Sequence, residues 1–387
     1  MKVAIVDPSL FTLPYDLHLC SSIAETGVEL SFFGRPLRGN ESIDDSKFKF
    51  VPHFYSLSEK LRGSRYQFLR KLFLISKGVE HIFDMLFFLR SASKNQYDVI
   101  HFQWTPIPLI DSLFIRLLKK KTKLILTVHD TNAFHGSAPS KLQFRGWNKL
   151  LQTFNQLIVH TDYSRKALKN TLPKSSSVKA IPHGVLSINN SHSSKSKYLY
   201  ENDLANKKVF VLFGELKPYK GIETILRAIK HLDDNVLEKI VFVIAGSPKM
   251  DVSQLVSLAE NLNISEYVRF DFRFVPDNEL DALLEISDCI LFPYTEIDAS
   301  GALMLALNYT KPIIASNVGG FSDLLDDKKN AILINPGEHK QLSDAITLLL
   351  TNDDLRSQIV NNISELVNST LSWDNIARET INFYQAT

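Results

Sequence analysis

"FGELKPYKGIETILRAI", residues 213–229, joins two kinds of structure. The apolar run Val209–Gly214 leads in as a strand, Lys217 and Lys220 flank Pro218-Tyr219, and Gly221 opens a helix. A strand passed to a helix across a short loop is the start of a βαβ unit, and repeating that unit builds a parallel sheet.

The same alternation extends in both directions. In the first half the strand candidates are Val3–Asp7, Val28–Phe33, Asp98–Phe102, Leu124–Val128, Leu157–His160 and Val178–Ile181. After Val209–Gly214, the second half offers Ile240–Ala245, Val268–Phe272, Cys289–Phe292, Pro312–Ala315 and Ala331–Ile334. Most are nearly continuous apolar runs, as expected of strands covered on both faces. Between the halves "LSINNSHSSKSKYLYEND" (186–203) is polar, lacks a period, and reads as a linker. The expected fold is therefore α/β, with two doubly wound Rossmann-like domains facing one another across a cleft. They span residues 1–190 and 200–370, and residues 371–387 follow as one amphipathic helix.

Bulk properties bound the function. A chain of 387 residues exceeds one typical core, so two domains are the default. With 44% hydrophobic and 22% charged residues the composition is that of a soluble globular protein. A net charge of +2 is too small to make nucleic acid the main partner. Cys20 and Cys289 sit in apolar runs without metal-ligand spacing, so they read as reduced core residues of a cytoplasmic protein. Val3–Val6 is broken by Asp7 and is too short for a signal peptide. No run approaches the roughly 18 apolar residues of a membrane span, so any membrane contact is expected to be peripheral, at the inner face.

In doubly wound sheets ligands bind outside the carboxyl ends of the strands, which directs attention to the strand-to-helix loops. "DPSLFTLPYD" (7–16) contains no glycine and so lacks the dinucleotide fingerprint, which argues against a dehydrogenase. Thr12 and the backbone near Tyr15 and Asp16 are candidates to meet a substrate, although a capping role for Asp16 is favoured. "VIHFQWTPIPLID" (99–111) ends a strand with His101, Gln103 and Trp104, and "LILTVHDTNAFHG" (124–136) ends another with His129 and Asp130. His129 can donate to a ligand oxygen or titrate near neutrality. His160, ahead of a Thr161/Asp162 cap, reads as structural.

Lys217 and Lys220 stand beside a helix N-terminus, where the dipole prefers anions. A phosphate held by the lysines and the helix amides would resolve that conflict; solvated lysines are the alternative. "FPYTEIDASGALMLALNYTKPIIAS" (292–316) places Glu296, Asp298, Ser300 and Gly301 at the mouth of an apolar helix. The free amides of that helix need partners. Ser300 alone can cap it, while Gly301 lets a ligand approach the backbone. Glu296 can accept hydrogen bonds from sugar hydroxyls, and the amides of Ser300, Gly301, Ala302 and Leu303 can hold a phosphate or hydroxyl oxygen. The ligand so described is both anionic and polyhydroxylated.

With "TVHD", "FGELKPYKG", "FPYTEIDASGALMLAL", "KPIIASNVGG" and the terminal "SWDNIA" in this order, nearly the whole chain resembles retaining glycosyltransferases of the GT-B fold, family 4 type. These include many bacterial polysaccharide and lipopolysaccharide enzymes. The resemblance implies transfer of a sugar from a nucleotide-diphosphate donor with retention, without metal or other cofactor. The acceptor would be a glycan or lipid-linked glycan. It implies that His129 lies by the donor sugar, that Lys220 neutralises the leaving diphosphate, and that Glu296 contacts sugar hydroxyls. The backbone near Phe274 and Val275 would meet the nucleobase, the amides after Gly301 would line the donor, and the helix around Trp373 would brace the first domain. Gly214, Lys217, Asp298 and Ser300 complete the expected donor set. Thr12, Tyr15, Asp16, Gln103, Trp104 and Asp130 form the acceptor set.

Three departures stand out. Gly214-Glu215 replaces the family's Gly-Arg, which shifts the second basic role to Lys217. Leu305 stands where the second glutamate would fall, leaving Glu296 and Asp298 as alternatives for the sugar-binding acid. "TLPYD" replaces the glycine-rich loop of the first domain. A non-catalytic nucleotide- or sugar-binding module that kept the fold is therefore the alternative function, and a sugar-nucleotide epimerase ranks below it for want of cleft carboxylates. Finally, "EKLRGSRYQFLRKLFLISKG" (59–78) is basic, aromatic and helical in pattern, a candidate contact with anionic lipid.

Overall fold

The computed structural model describes residues 1–39, 41–62, 67–119, 122–131, 146–188, 204 and 206–386, with the side chains of 61–72, 74 and 75 left aside. Most of the polar linker, residues 132–136 of the His129 loop, and much of the basic segment 59–78 lie outside the described residues. The chain divides into two compact units. One is Met1–Pro182 together with Trp373–Thr387, and the other is His183–Ser372. The division thus falls a few residues ahead of the polar segment.

The first unit holds seven parallel strands in the order β3-β2-β1-β4-β5-β6-β7. They are β1 Lys2–Val6, β2 Glu29–Gly34, β3 Lys49–Pro52, β4 Val99–Phe102, β5 Lys123–Thr127, β6 Gln156–Val159 and β7 Ser177–Ala180. Strand β3 was not among the expected strands. Its sequence around Phe48-Lys49-Phe50 alternates charge and aromatic instead of running apolar, because it is a half-exposed edge strand.

Period-two alternation splits the strand residues between two cores. Ala4 and Val6 face Met85, Phe88, Phe114 and Ile115 of helices Gln67–Asn95 and Pro108–Leu118. Val3 and Ile5 face Leu19 and Ile23 of helix Leu13–Glu25, and also Ile376, Ala377 and Phe383 of helix Trp373–Gln385. The last helix of the chain therefore belongs to the first unit. Both cysteines are buried and unpaired, as core residues should be.

The second unit holds six parallel strands in the order β10-β9-β8-β11-β12-β13. They are β8 Lys208–Phe213, β9 Ile240–Ala245, β10 Val268–Asp271, β11 Cys289–Phe292, β12 Ile313–Ser316 and β13 Ile332–Ile334. Strand order reverses between β1 and β4 in one sheet and between β8 and β11 in the other. The loops leaving those four strands are where such a sheet opens a crevice for ligands. Among the described residues no helix is long and apolar enough to cross a membrane.

Candidate functional sites at the carboxyl edges of the two sheets

In the second unit, the loop after β8 turns through a single 3-10 turn, Pro218–Lys220, into helix Ile222–Ile229. Gly221 makes that turn at φ +69°, and a Cβ there would meet the Pro293 carbonyl oxygen at 1.9 Å. The loops after β8 and β11 touch backbone to backbone at this point, reinforced by the Thr295 amide donating to the Tyr219 carbonyl at 2.8 Å. Only glycine satisfies both the positive φ and the close approach.

This contact draws the Lys220 side chain inward. Its ammonium is buried, donates to the Phe213 carbonyl at 2.6 Å, and lies 5.5 Å from the centre of the Tyr294 ring. A Cβ on Gly214 would stand 3.0 Å from Lys220 Nζ, so glycine leaves the ammonium room. Burial, reinforced by the charge of Lys217 and only partly offset by Glu215, brings Lys220 down to about 7. A buried amine poised near neutrality at a switch point is suited to meeting an anion. Tyr294, which supplies the ring, was missed in the sequence because a tyrosine in an apolar run looks like core.

Lys217 has a partner already. Glu215 receives it at 3.1 Å and Lys249 at 3.6 Å, so the acid standing in place of the family's arginine gathers two cations around it. Ser300 caps helix Gly301–Asn308 by accepting from the Leu303 amide at 3.1 Å. That corrects the expectation for Leu303, whose N–H is spent on the cap. Among the described residues no acceptor takes the Gly301 or Ala302 amide, and the chain here is at or near the surface. Added bulk at Gly301 would meet only Leu186, at 3.7 Å, so nothing inside the unit demands a glycine there. Glu296 is exposed, Asp298 is buried, Phe274 is exposed and Val275 is buried beneath it.

In the first unit the loop after β1 is organised by an unforeseen residue, Asp7. Its buried carboxylate accepts from the Ser9 amide at 3.1 Å and the Thr12 amide at 3.0 Å. Asp16 does not cap the helix, contrary to expectation. The helix begins at Leu13, and Asp16 lies inside it, fully buried, accepting from Thr12 Oγ1 at 3.1 Å. Burial, then the neighbouring Asp7, pushes the Asp16 carboxyl well up, which favours its protonated form.

A chain of hydrogen bonds crosses the carboxyl ends of β4, β5 and β6. His160 Nδ1 faces the Ile181 carbonyl at 3.2 Å and must donate to it. Its Nε2, 3.0 Å from His129 Nδ1, then accepts. His129 Nε2 lies 3.2 Å from the Gln103 amide, which reaches His101 Nε2 at 3.4 Å. His101 also meets Thr127 Oγ1 and the Tyr384 hydroxyl, each at 2.7 Å. Burial lowers His101 to about 3, fixing it neutral.

The orientation of an amide is assigned from its network. A neutral chain has Gln103 giving an N–H to His129 Nε2, and a protonated His129 donates to the Gln103 oxygen instead. Either way both His129 nitrogens are engaged within the unit. Tyr15, Asp16 and Gln103 are likewise buried and engaged within the unit. Thr12, Trp104 and Asp130 remain half-buried at the surface, and Trp104 stacks on the exposed Phe11 at 4.5 Å. His160 keeps its structural place, and Thr161 caps the next helix through the Ser164 amide at 3.0 Å.

Comparison with known proteins gives this architecture a family. A model described as Glycosyltransferase Family 4 matches residues 17–185, and one described as Glycosyl transferases group 1 matches residues 198–366. The chain is 24% identical to the 2-deoxystreptamine N-acetyl-D-glucosaminyltransferase of Niallia circulans, over 80% of this chain and 83% of the relative. It is 27% identical to an uncharacterized glycosyltransferase of Methanocaldococcus jannaschii over 70% of each chain. Among solved structures, sucrose-phosphate synthase from Thermosynechococcus elongatus matches with a TM-score of 0.72 and 16% identity, covering 100% of this chain and 98% of that one. Anabaena HepE in complex with UDP matches with a TM-score of 0.70 and 17% identity over 99% of both. With both units matched in order and the fold shared end to end, the chain belongs to the GT-B glycosyltransferases of the family 4 type.

Proposed function

We propose that the protein moves a sugar from a nucleotide-diphosphate donor to a hydroxyl of a glycan or lipid-linked glycan, retaining the anomeric configuration and using no metal. The observation that carries this reading is Lys220, buried at the β8–β11 switch point with its pKa brought to about 7. In the reaction the bond from the anomeric carbon to the diphosphate oxygen breaks. A bond from that carbon to the acceptor oxygen forms, and the acceptor proton passes to the departing phosphate. Lys220, seconded by Lys217 and the amides of Gly301 and Ala302, stabilises the charge that develops on the diphosphate. Glu296 or Asp298 receives sugar hydroxyls, and the backbone at Phe274 and Val275 faces the base. His129, held at both nitrogens, contributes through its position at the sheet edge. Since HepE was solved with UDP and UDP-glucose and the Niallia relative is named for N-acetylglucosamine, UDP sugars head the list of donors.

The test is a thermal-shift panel of UDP, GDP, CDP and dTDP, then of the matching sugar nucleotides, with and without a chelator. Ligand at about a hundred times its dissociation constant adds roughly 2.7 kcal/mol. One nucleotide standing out, weakened by Lys220→Ala, supports the reading; NMR of the product anomer then decides retention. The alternative, a binding module without turnover, is favoured by the Glu215 carboxylate where the family places a cation. It predicts the same thermal shift but no released nucleotide with any acceptor.

A further inference from the structure

Two helices on one side of the first sheet turn rows of apolar side chains away from it. On helix Gln67–Asn95 the row is Val79, Ile82, Phe83, Leu86 and Phe87, with Phe83 and Phe87 54% and 57% exposed. On helix Pro108–Leu118 it is Leu109, Leu113 and Leu117, at successive turns, the last two 61% and 58% exposed. The opposite sides of the same helices, through Met85, Phe88, Phe114 and Ile115, fill the core beneath. Both rows therefore look outward. Single exposed apolar residues are ordinary, but rows of them on two adjoining helices make a patch.

Among the described residues the charges around the patch are mostly of one sign. Its acids are turned inward. Glu80 accepts the Leu57 and Ser58 amides at 2.6 and 2.7 Å, Asp84 accepts the Tyr55 amide at 2.7 Å, and Asp111 is held to His81 Nε2 at 2.6 Å. The exposed ions that follow the rows are cations: Arg90 and Lys94 on one helix, Arg116 in the last turn of the other and Lys119 just beyond it. The C-terminal ends of the two helices flank one hollow of about 1180 Å³, with Arg90, Lys119 and Lys123 on its wall. Its one acid, Asp98, accepts the Lys2 amide at 2.7 Å.

We propose that this two-helix face docks the first unit onto an anionic bilayer, with the apolar rows entering the headgroup–acyl boundary and the basic ends meeting lipid phosphates. A second copy of the chain suits the face less well. A two-fold contact would oppose cations to cations, and among the described residues the one acid on the hollow's wall, Asp98, is already held to the Lys2 amide, whereas an anionic bilayer satisfies both the rows and the charges. This face, which starts at Val79, adjoins the end of the segment 59–78 on which lipid contact was anticipated.

The experiment is co-sedimentation of the purified protein with vesicles of phosphatidylcholine alone and of phosphatidylcholine with phosphatidylglycerol. No donor or acceptor is added, so the outcome is independent of the transferase reading. The protein is expected to pellet with the anionic vesicles. Phe83→Ser/Phe87→Ser should weaken binding about tenfold or more, and Arg116→Glu should weaken it at low salt while melting stays as in wild type. A wild-type protein that stays in the supernatant, or a folded double variant that pellets like wild type, overturns the proposal. So does a wild-type dimer that the double variant turns into a monomer without any vesicle binding, since the face then belongs to a second copy.

Discussion

His160 Nε2 accepts the proton carried by His129 Nδ1 across 3.0 Å, because His160 Nδ1 is committed to the Ile181 carbonyl. A residue with no claim to touch substrate thereby fixes the tautomer of one that stands at the sheet edge. His160→Leu should lower turnover about tenfold, while nucleotide affinity of the second unit stays unchanged. Ring-nitrogen NMR should show His129 protonated at Nδ1 in the wild type and distributed over both nitrogens in the variant. An unaltered tautomer would refute the assignment.

On the proposed function, Lys220 should make nucleotide binding depend on pH in a defined direction. Its folded pKa of about 7 lies below the ordinary 10.5, so between those values the unfolded chain carries the proton and the folded chain does not. Stability from this group therefore rises with pH across that window. Diphosphate affinity does the opposite, falling toward about tenfold per pH unit above 7 as the ammonium is lost. Calorimetry in buffers of different ionisation enthalpy should register proton uptake on binding, and Lys220→Met should abolish it.

The Asp7–Asp16 pair has the reverse linkage. Burial raises Asp16 well above 3.8, so the folded state keeps a proton that the unfolded state releases. Stability from the pair is full below that value and declines as pH rises through the window. Asp16→Asn, neutral and of the same shape, should stabilise the protein by about 1 kcal/mol near neutrality and flatten the pH dependence seen in urea titrations. Asp7→Asn should instead cost about 1–2 kcal/mol, since Asp7 accepts two loop amides.

Gly221→Ala should be among the costly single substitutions in the second unit. Its Cβ would lie 1.9 Å from the Pro293 oxygen at φ +69°, so the loops after β8 and β11 must part. A loss of about 2 kcal/mol or more is expected, together with weakened nucleotide binding. Gly27→Ala is the control: φ is +85° but nothing lies within 4 Å, so only backbone strain of about 1 kcal/mol remains.

The parallel sheets were legible because strands covered on both faces must be apolar throughout, and Val209–Phe213 or Ile240–Ala245 can hardly be anything else. Edge strand β3 escaped that rule. Lys220 and Gly221 stood out in the sequence, since lysines at a helix N-terminus conflict with its dipole and a glycine there marks a special turn. What sequence could not convey is inwardness. Nothing local distinguishes Asp16 buried in a helix from Asp16 capping one, and nothing near His101 announces Tyr384, which is 283 residues away in sequence. Partnerships of that range exist only once the chain has folded.

That last partnership bears on the order of events during synthesis. Tyr384 reaches buried His101, Lys123 Nζ donates to the Tyr384 carbonyl at 2.9 Å, and Ile376 and Ala377 lie in the core beside Val3 and Ile5. The ribosome must deliver the whole of the second unit before these side chains exist. A nascent first unit thus waits with a helix-sized gap along Leu19 and Ile23, open to solvent and to chaperones. The second unit is continuous in sequence from His183 to Ser372 and needs no later segment of the chain. The half of the protein that is translated first is therefore the half that folds to completion last.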